Sequence, residues 1–404
     1  VSETLRISRK FSQRAVMEAI VHGGPISRAS ISKQTGLSKQ TISEIVRQLE
    51  IEGWVRETGR TSGHVGRTAV TYELVPDAAY IAAVDLGGTK VRVAIADLTC
   101  QIVAEEVAPT NARGGQPVID QIVEMCFRSA ESQGISRERI RLAVIGAPGA
   151  PDDVTGRILL APNISGFDAM NVAAAFEVGF GCDVMLENDV NLAVLGENWL
   201  GQGQGVDNLA YIAVGTGIGG GLMVGGHLVR GASHAAGELG FMPFGADPFE
   251  AESLRSGAFE RAVASGGIIE RFRAASGETL SVPAIFNRAT AGDMTAIKVL
   301  DDTGRYLARG IGAIAAVANP QKVILGGSIG LRPEILDRVR TFLPKCFPYP
   351  VDVEASQLGA RAALIGAAAI GLSHLHNTLF GADAPEGRIS LPPAAVVVKR
   401  EAAQ

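Results

Sequence analysis

Thiols are scarce in this 404-residue chain, and long apolar runs are missing from it. Its four cysteines, Cys100, Cys126, Cys182 and Cys346, lie far apart with no C-x-x-C pair. That argues against a disulfide frame and against a thiolate metal cluster, and leaves four reduced, buried thiols. The longest apolar stretch, AALIGAAAIGL at 362–372, falls short of the roughly 18 residues a membrane span needs. The N-terminal VSETLRISRK has no apolar signal core, so a cytoplasmic protein with no membrane partner is expected. With 47% hydrophobic and 20% charged residues, the chain has the composition of a packed globule, and it is long enough for two or three domains.

The net charge of −5 conceals an asymmetry. Residues 1–75 carry 11 Lys+Arg against 7 Asp+Glu, a balance of +4, while the remaining 26 against 35 give −9. A small basic head on an acidic body suggests a polyanion-binding module joined to something that does not bind nucleic acid.

Within the head, the spacing predicts helices over roughly 7–21, 27–35 and 38–51. In the third, GLSKQTISEIVRQLE (36–50) places Ile42, Ile45, Val46 and Leu49 on one face and Lys39, Gln40, Ser43, Glu44 and Arg47 on the other. Ser38 stands at the N-cap position and Gly36 at the turn after the second helix. This is a helix-turn-helix pattern with 38–51 as recognition helix. The following GWVRETGRTSGHVGRTAVTYEL offers two strand-like runs, 54–58 and 69–74, around a basic glycine-rich loop with Arg60, His64 and Arg67, which is a wing. Ser38, Lys39, Gln40, Thr41, Ser43 and Arg47, with Arg60 and Arg67 from the wing, form the candidate DNA surface: major-groove base edges for Lys39, Gln40 and Thr41, phosphates or a minor groove for the wing arginines.

After the linker VPDAA (75–79), the pattern becomes alternating strands and glycine turns. YIAAVDLGGTKVRVAIADL (80–98) is strand, turn, strand, with Asp85 ending the first strand and Gly87, Gly88, Thr89 and Lys90 in the turn. Glycines let backbone N–H groups approach phosphate oxygens, and the carboxylate suits a hydrated Mg²⁺. LAYIAVGTGIGGGLMVGGHLV (209–229) repeats the design with Gly215, Thr216, Gly217 and Gly219. Two such hairpins suggest a duplicated, two-lobed fold with phosphates clamped between lobes. Between them, CDVMLENDVNLAVLGENWLG (182–201) runs from strand to helix through Glu187, Asn188 and Asp189. Asp189 stands near a helix N-terminus, where it could take a proton from a sugar hydroxyl while Asn188 positions it; the plainer reading of the pair is a helix cap.

The ordered series DLGGTK, APNISGF, LENDVNLAVLGE, VGTGIGGG, GELG and VILGGSIG resembles the ROK family, named for repressors, open reading frames and kinases. The resemblance runs from the helix-turn-helix to about residue 375, and the N-terminal module is similar to the family's repressor branch rather than its glucokinase branch. It implies an α/β chain: a winged helix-turn-helix (1–77), then a two-lobed actin/hexokinase-like, ribonuclease H-like duplicated ROK domain. The first lobe would span 78–190. The second, 191–390, would carry the dimer contact and a C-terminal helix returning to the first lobe. By the same resemblance, Asp85 to Lys90 and Gly215 to Gly219 would meet ATP phosphates, and Gly326 with Gly327 the adenosine. Asn163, Asn188, Asp189, Glu238 and Glu260 would face a sugar, with Asp189 matching the catalytic base. The family continues into a zinc segment where this chain reads GELGFMPFGADPFEAESLRSGAFE (237–260). Phe241 replaces the metal-binding histidine, and Ala251, Ser253 and Ala258 stand at the cysteine positions, so no zinc is expected.

The expected function is a sugar-responsive repressor of carbohydrate genes, acting as a homodimer or tetramer on a palindromic operator and released by a sugar or sugar phosphate. It requires no cofactor, although its phosphate loops suit ATP and Mg²⁺. An ATP-dependent sugar kinase with Asp189 as base is the first alternative; control by nucleotide or by a protein partner is the second. Without the metal, the loop bearing Glu238 and Glu260 is expected to be held less rigidly, which harms catalysis more than binding.

Overall fold

The computed structural model describes residues 2–61, 69–152, 154–159 and 164–380. His64 and Arg67 of the expected wing and Asn163 of the expected sugar site lie outside these residues. Among them no helix is long and apolar enough to cross a membrane.

The head consists of α1 (Ser2–Gly23), β1 (Ile26–Ser27), α2 (Arg28–Thr35), α3 (Lys39–Ile51), β2 (Val55–Thr61) and β3 (Ala69–Leu74). Local chemistry sets each boundary. Ser27 caps α2 by accepting from the Ser30 N–H at 3.2 Å. Gly36, at φ 71°, closes it with an N–H to the Ser32 carbonyl, a left-handed turn that glycine adopts without a Cβ penalty. Ser38 caps α3 by accepting from the Thr41 N–H at 3.1 Å. Ile42, Ile45, Val46 and Leu49 of α3 are buried with Ile31 of α2 and Val16, Met17 and Ile20 of α1, so the apolar stripe read from the sequence is the core of the head. The helix expected over 7–21 extends to 2–23, and the two-residue β1 pairs with β3 through Ile26 opposite Tyr72.

The rest of the chain forms two compact units, and the head clusters with the first. That unit comprises residues 1–145, 163–186 and 367–404; the second comprises 146–162 and 187–366. The first sheet is built from β4 (Tyr80–Leu86), β5 (Lys90–Asp97), β6 (Ile102–Pro109), β7 (Ile140–Ala147) and β10 (Asp183–Asn188), in the order β10-β7-β4-β5-β6. Helices α4 (Gly115–Ser132) and α5 (Val172–Phe180) and the small hairpin β8 (Ala150–Asp152) and β9 (Arg157–Leu159) lie between those strands in sequence. The second sheet uses β11 (Leu209–Val214), β12 (Ile218–Val224), β13 (His227–Leu228), β14 (Lys322–Gly326) and β15 (Asp352–Ala355), in the order β13-β12-β11-β14-β15. Numbering strands within each sheet, both orders read 3-2-1-4-5. The duplication suggested by two glycine hairpins therefore extends to whole sheets.

The second unit also holds α6 (Asp189–Leu200), α7 (Ala251–Ser256), α8 (Glu260–Val263), α9 (Ser265–Ser276), α10 (Val282–Thr290), α11 (Met294–Ala318), α12 (Gly327–Gly330) and α13 (Pro333–Cys346). Its core packs Phe259, Phe272 and Phe286 with Leu307, Ile311 and Val339 against Ile212, Val323 and Leu325 of the sheet. Each such side chain contributes roughly 1.5–3 kcal/mol on burial. The last helix, α14 (Ala362–Phe380), begins in this unit, where Gly366 lies so close to the Leu192 carbonyl of α6 that any Cβ would collide with it.

Candidate functional site

In the head, Lys39, Gln40, Glu44 and Arg47 are exposed on α3, and Thr41 and Ser43 are half-buried. The Ser38 and Thr41 hydroxyls lie 2.8 Å apart, so both side chains shape the cap that leaves Lys39 and Gln40 at the open end of the helix. Arg60 lies in β2. A capped helix with its N-terminal polar side chains exposed is what major-groove reading requires.

In the first unit, Asp85 to Lys90 form the tight connection of β4 to β5. The Gly87 N–H donates to the Lys90 carbonyl at 2.9 Å, and the Thr110 hydroxyl donates to the Gly87 carbonyl at 2.7 Å. Gly88, Thr89 and Lys90 are exposed, and Asp85 stands opposite Arg92 on β5. Thr110 braces this turn from β6's far end, a contact that nothing in the spacing of the glycines announces.

The second unit assembles the richer site, and its foundation is the glycine run of β12. A Cβ on Gly219 would stand 2.8 Å from Val190 Cγ2, and one on Gly221 would stand 2.5 Å from the Val190 carbonyl oxygen. The bare face of the strand is thus the seat of the first turn of α6. A Cβ on Gly220 would meet Leu239, and one on Gly217 would come within 2.6 Å of a Glu260 carboxylate oxygen. Gly237, at φ 95°, leaves room for the Gly220 carbonyl, and the Gly220 N–H donates to the Gly237 carbonyl at 2.9 Å. One strand of glycines therefore brings together three elements carrying Asp189, Glu238 and Glu260.

The turn into α6 is tightly wired. The Asn188 side-chain oxygen accepts from the Val190 and Asn191 N–H groups at 3.0 and 3.1 Å, and its amide nitrogen donates to the Gly149 carbonyl at 2.9 Å. Asn188 is the cap, with one N–H left to offer a ligand. Buried Glu187 accepts from the Asn188 N–H, from the Asn191 amide at 2.9 Å and from Arg230 Nε at 2.8 Å. Arg230 lies on the segment leading to Glu238, so this ion pair joins the two acidic loops.

Asp189, first residue of α6, accepts from the Val190 N–H at 2.8 Å. It keeps some opening to solvent, yet desolvation pushes its carboxyl up to about 6, against the pull of the Val190 N–H. Burial also raises Glu238, and the charges of Asp189 and Glu260 raise it further. Burial raises Glu260, opposed by the Ile218 N–H, which donates to it at 3.0 Å. Three carboxylates that resist ionisation together form a site that gains from hydroxyl donors or from a cationic or proton-releasing ligand. Gly327, at φ 77°, fits against the Val214 backbone, and a Cβ on Gly215 would stand 3.4 Å from the Ser328 hydroxyl. Gly326 and Gly327 thus adjoin the Gly215 turn, whose Gly215 N–H donates to the Gly217 carbonyl at 2.9 Å.

The expected zinc positions do not fit the metal. Phe241 is 43% exposed and carries no donor atom, as do Ala251 and the buried Ala258. The Ser253 hydroxyl already accepts from Arg261 Nη1 at 2.6 Å. Among the described residues, no three His, Cys, Asp or Glu side chains are grouped to hold a metal ion. Glu187, Arg230 and Arg261 escape sequence reading as site residues, because an ion pair spanning 43 residues and a hydrogen bond spanning 8 leave no periodic signal.

Comparison with known proteins accords with this arrangement. Residues 81–373 match the ROK family and residues 12–56 the winged helix-turn-helix DNA-binding family. The xylose repressor of Bacillus subtilis (strain 168) is 27% identical over 375 residues, covering 91% of this chain and 96% of the repressor. The glucokinase of Thermotoga maritima is 30% identical over 308 residues, covering 71% of this chain and 95% of the enzyme. A ROK family transcriptional regulator, a homolog of the E. coli MLC protein, superposes with a TM-score of 0.75 at 23% identity over 92% of this chain and 98% of its own. With the match extending through both sheets and the acidic site, this chain belongs to the ROK family.

Proposed function

We propose that the chain is a sugar-responsive DNA-binding transcriptional regulator, a repressor that leaves its operator when a sugar occupies the Asp189–Glu238–Glu260 site. The observation that carries the proposal is the presence in one chain of an exposed, capped recognition helix and a glycine-seated cluster of carboxylates. Sugar hydroxyls donate well to carboxylates, and three of them in one place can read the position and stereochemistry of several hydroxyls at once. Phe241, exposed beside Glu238 in the turn Leu239–Phe241, adds an apolar face suited to sugar C–H surfaces. Repressor relatives aligned over nine-tenths of the chain support the regulatory reading.

For the sugar to act as a signal, it must bind one DNA-affinity state better than the other. A hundredfold preference is about 2.7 kcal/mol, enough to empty a site held by a marginal excess of affinity. We propose a homodimer on a palindromic operator, with two α3 helices about 34 Å apart, one turn of DNA. Fluorescence anisotropy of the chain's own promoter fragment, titrated with pentoses, hexoses, amino sugars and their phosphates, tests this: one of them should release the DNA.

The Asp189 carboxyl at about 6 favours a second reading, in which the body also transfers phosphate from ATP to a sugar. A base poised near neutrality suits removal of a hydroxyl proton, and Gly215 to Gly219 with Gly326 and Gly327 would hold the nucleotide. Mg²⁺, when bound with ATP, would neutralise phosphate charge. ATP turnover with a sugar panel, lost in Asp189→Asn, would establish that activity.

A further inference from the structure

We propose that Arg261 is a positioning residue for the acidic site, cross-linking the segment 250–261 so that Glu260 and the Glu238 turn are held without a metal. Its Nη1 donates to Glu250 Oε2 and to the Ser253 hydroxyl, each at 2.6 Å. Glu250 is the N-cap residue of α7, and Ser253, only 2% exposed, lies in its first turn. The guanidinium therefore ties the start of α7 to α8, closing the corner between them.

That corner rests on both acidic elements. Gly257, at φ 82°, lies against the Gly240 carbonyl so tightly that a Cβ there would collide. The Phe259 N–H donates to the same carbonyl at 3.0 Å. Gly240 is two residues from Glu238, so fixing the corner fixes the turn. Glu260 precedes Arg261, and its carboxylate accepts the Ile218 N–H at 3.0 Å, holding it on the glycine strand. Burial presses against that placement, and a charge-assisted link from one guanidinium nitrogen to two acceptors supplies the rigidity to resist it. The loop expected to be loose is tied by its own side chains.

The consequence for ligand affinity rests on the sugar-site reading, but the cross-link is tested without ligand. Hydrogen exchange would be followed at the Ile218 amide, with Val323–Leu325 of β14 in the same unit as control. Arg261→Met should accelerate exchange at Ile218 at least tenfold and leave the control unchanged. Arg261→Lys should restore protection in part, and EDTA should change nothing in the unsubstituted chain. Unchanged Ile218 exchange in Arg261→Met, equal acceleration at the control, or loss of Ile218 protection on chelation would each overturn the proposal. Should Arg261→Met fail to fold, Ser253→Ala removes one of the two acceptors and must show a smaller acceleration confined to Ile218; an unchanged Ile218 there would count equally against it. If the cross-link holds but no sugar binds, the sugar reading falls and the positioning role stands.

Discussion

Asp189→Asn should make the protein more stable at neutral pH while destroying its site. Burial raises this carboxyl from 3.8 to about 6, so the folded state holds the proton more tightly than the unfolded chain does. Below 3.8 both states are protonated, and the stabilisation associated with the proton is complete. As pH rises through 6 that stabilisation is lost, and above it the folded state carries the full cost of an ionised, desolvated carboxylate. The shift is about 2.2 units, and at 1.36 kcal/mol per unit the cost reaches about 3 kcal/mol. Asparagine has the same shape and keeps an oxygen to accept from the Val190 N–H, so it removes the charge and little else. Trp199, buried near the end of the helix that Asp189 begins, reports its unfolding by fluorescence. Urea titrations between pH 4 and 8 should show Asp189→Asn close to the parent at pH 4 and up to about 3 kcal/mol more stable at pH 7.5. Equal stability at pH 7.5, or a difference that does not change with pH, would show that no ionised, desolvated carboxylate burdens the folded state.

Other expectations follow from the same contacts. Gly221→Ala should cost about 1–3 kcal/mol by overpacking and abolish sugar binding in calorimetry, because the Val190 carbonyl it would strike belongs to the Asp189 turn. Arg60→Ala should weaken DNA binding for all sequences and lower the salt slope by about 1, whereas Gln40→Ala should lose about 1–3 kcal/mol of discrimination at one base pair. Both are read by anisotropy across salt and operator variants. His376 of α14 is depressed to about 4 by burial, then by the charge of His22, with the Leu98 carbonyl opposing; Arg14 and Glu18 of α1 line the same crevice. Because the unfolded chain takes up its proton near 6.5, this group's contribution is intact above that pH and fades toward 4, by at most about 3–4 kcal/mol. Exchange protection of α1 and α14 should accordingly fall between pH 6.5 and 4, and His376→Gln should flatten that fall.

Much of this could be read from residues alone where the determinant is local. Ser38, Gly36 and the Ile42–Leu49 stripe announce α3 because capping and helical periodicity act within a few residues. The paired glycine turns likewise announce a duplication, and both sheets have one strand order. What the glycines do was only half visible. Gly215 to Gly219 read as a phosphate turn, but Gly219, Gly220 and Gly221 each clear space for a partner 19 to 31 residues away in sequence, and no local pattern encodes that. Asn188 illustrates two roles in one side chain: its cap was foreseeable from its position, while the spent Gly149 contact depends on a residue 39 positions earlier. Phe241, Ala251, Ser253 and Ala258 showed that a thiolate site could not form. That Arg261 would bridge the gap depended on how the corner folds.

The most direct test is release of operator DNA by sugar in the parent chain and in Glu238→Gln, which keeps the recognition helix intact and removes one charge from the acidic site. Operator affinity without sugar should be equal in the two chains, at least one sugar of the panel should release the parent, and the response in Glu238→Gln should be weakened tenfold or more. An operator complex that every sugar leaves in place, or a Glu238→Gln complex released at the parent's sugar concentration, would contradict release through the acidic site.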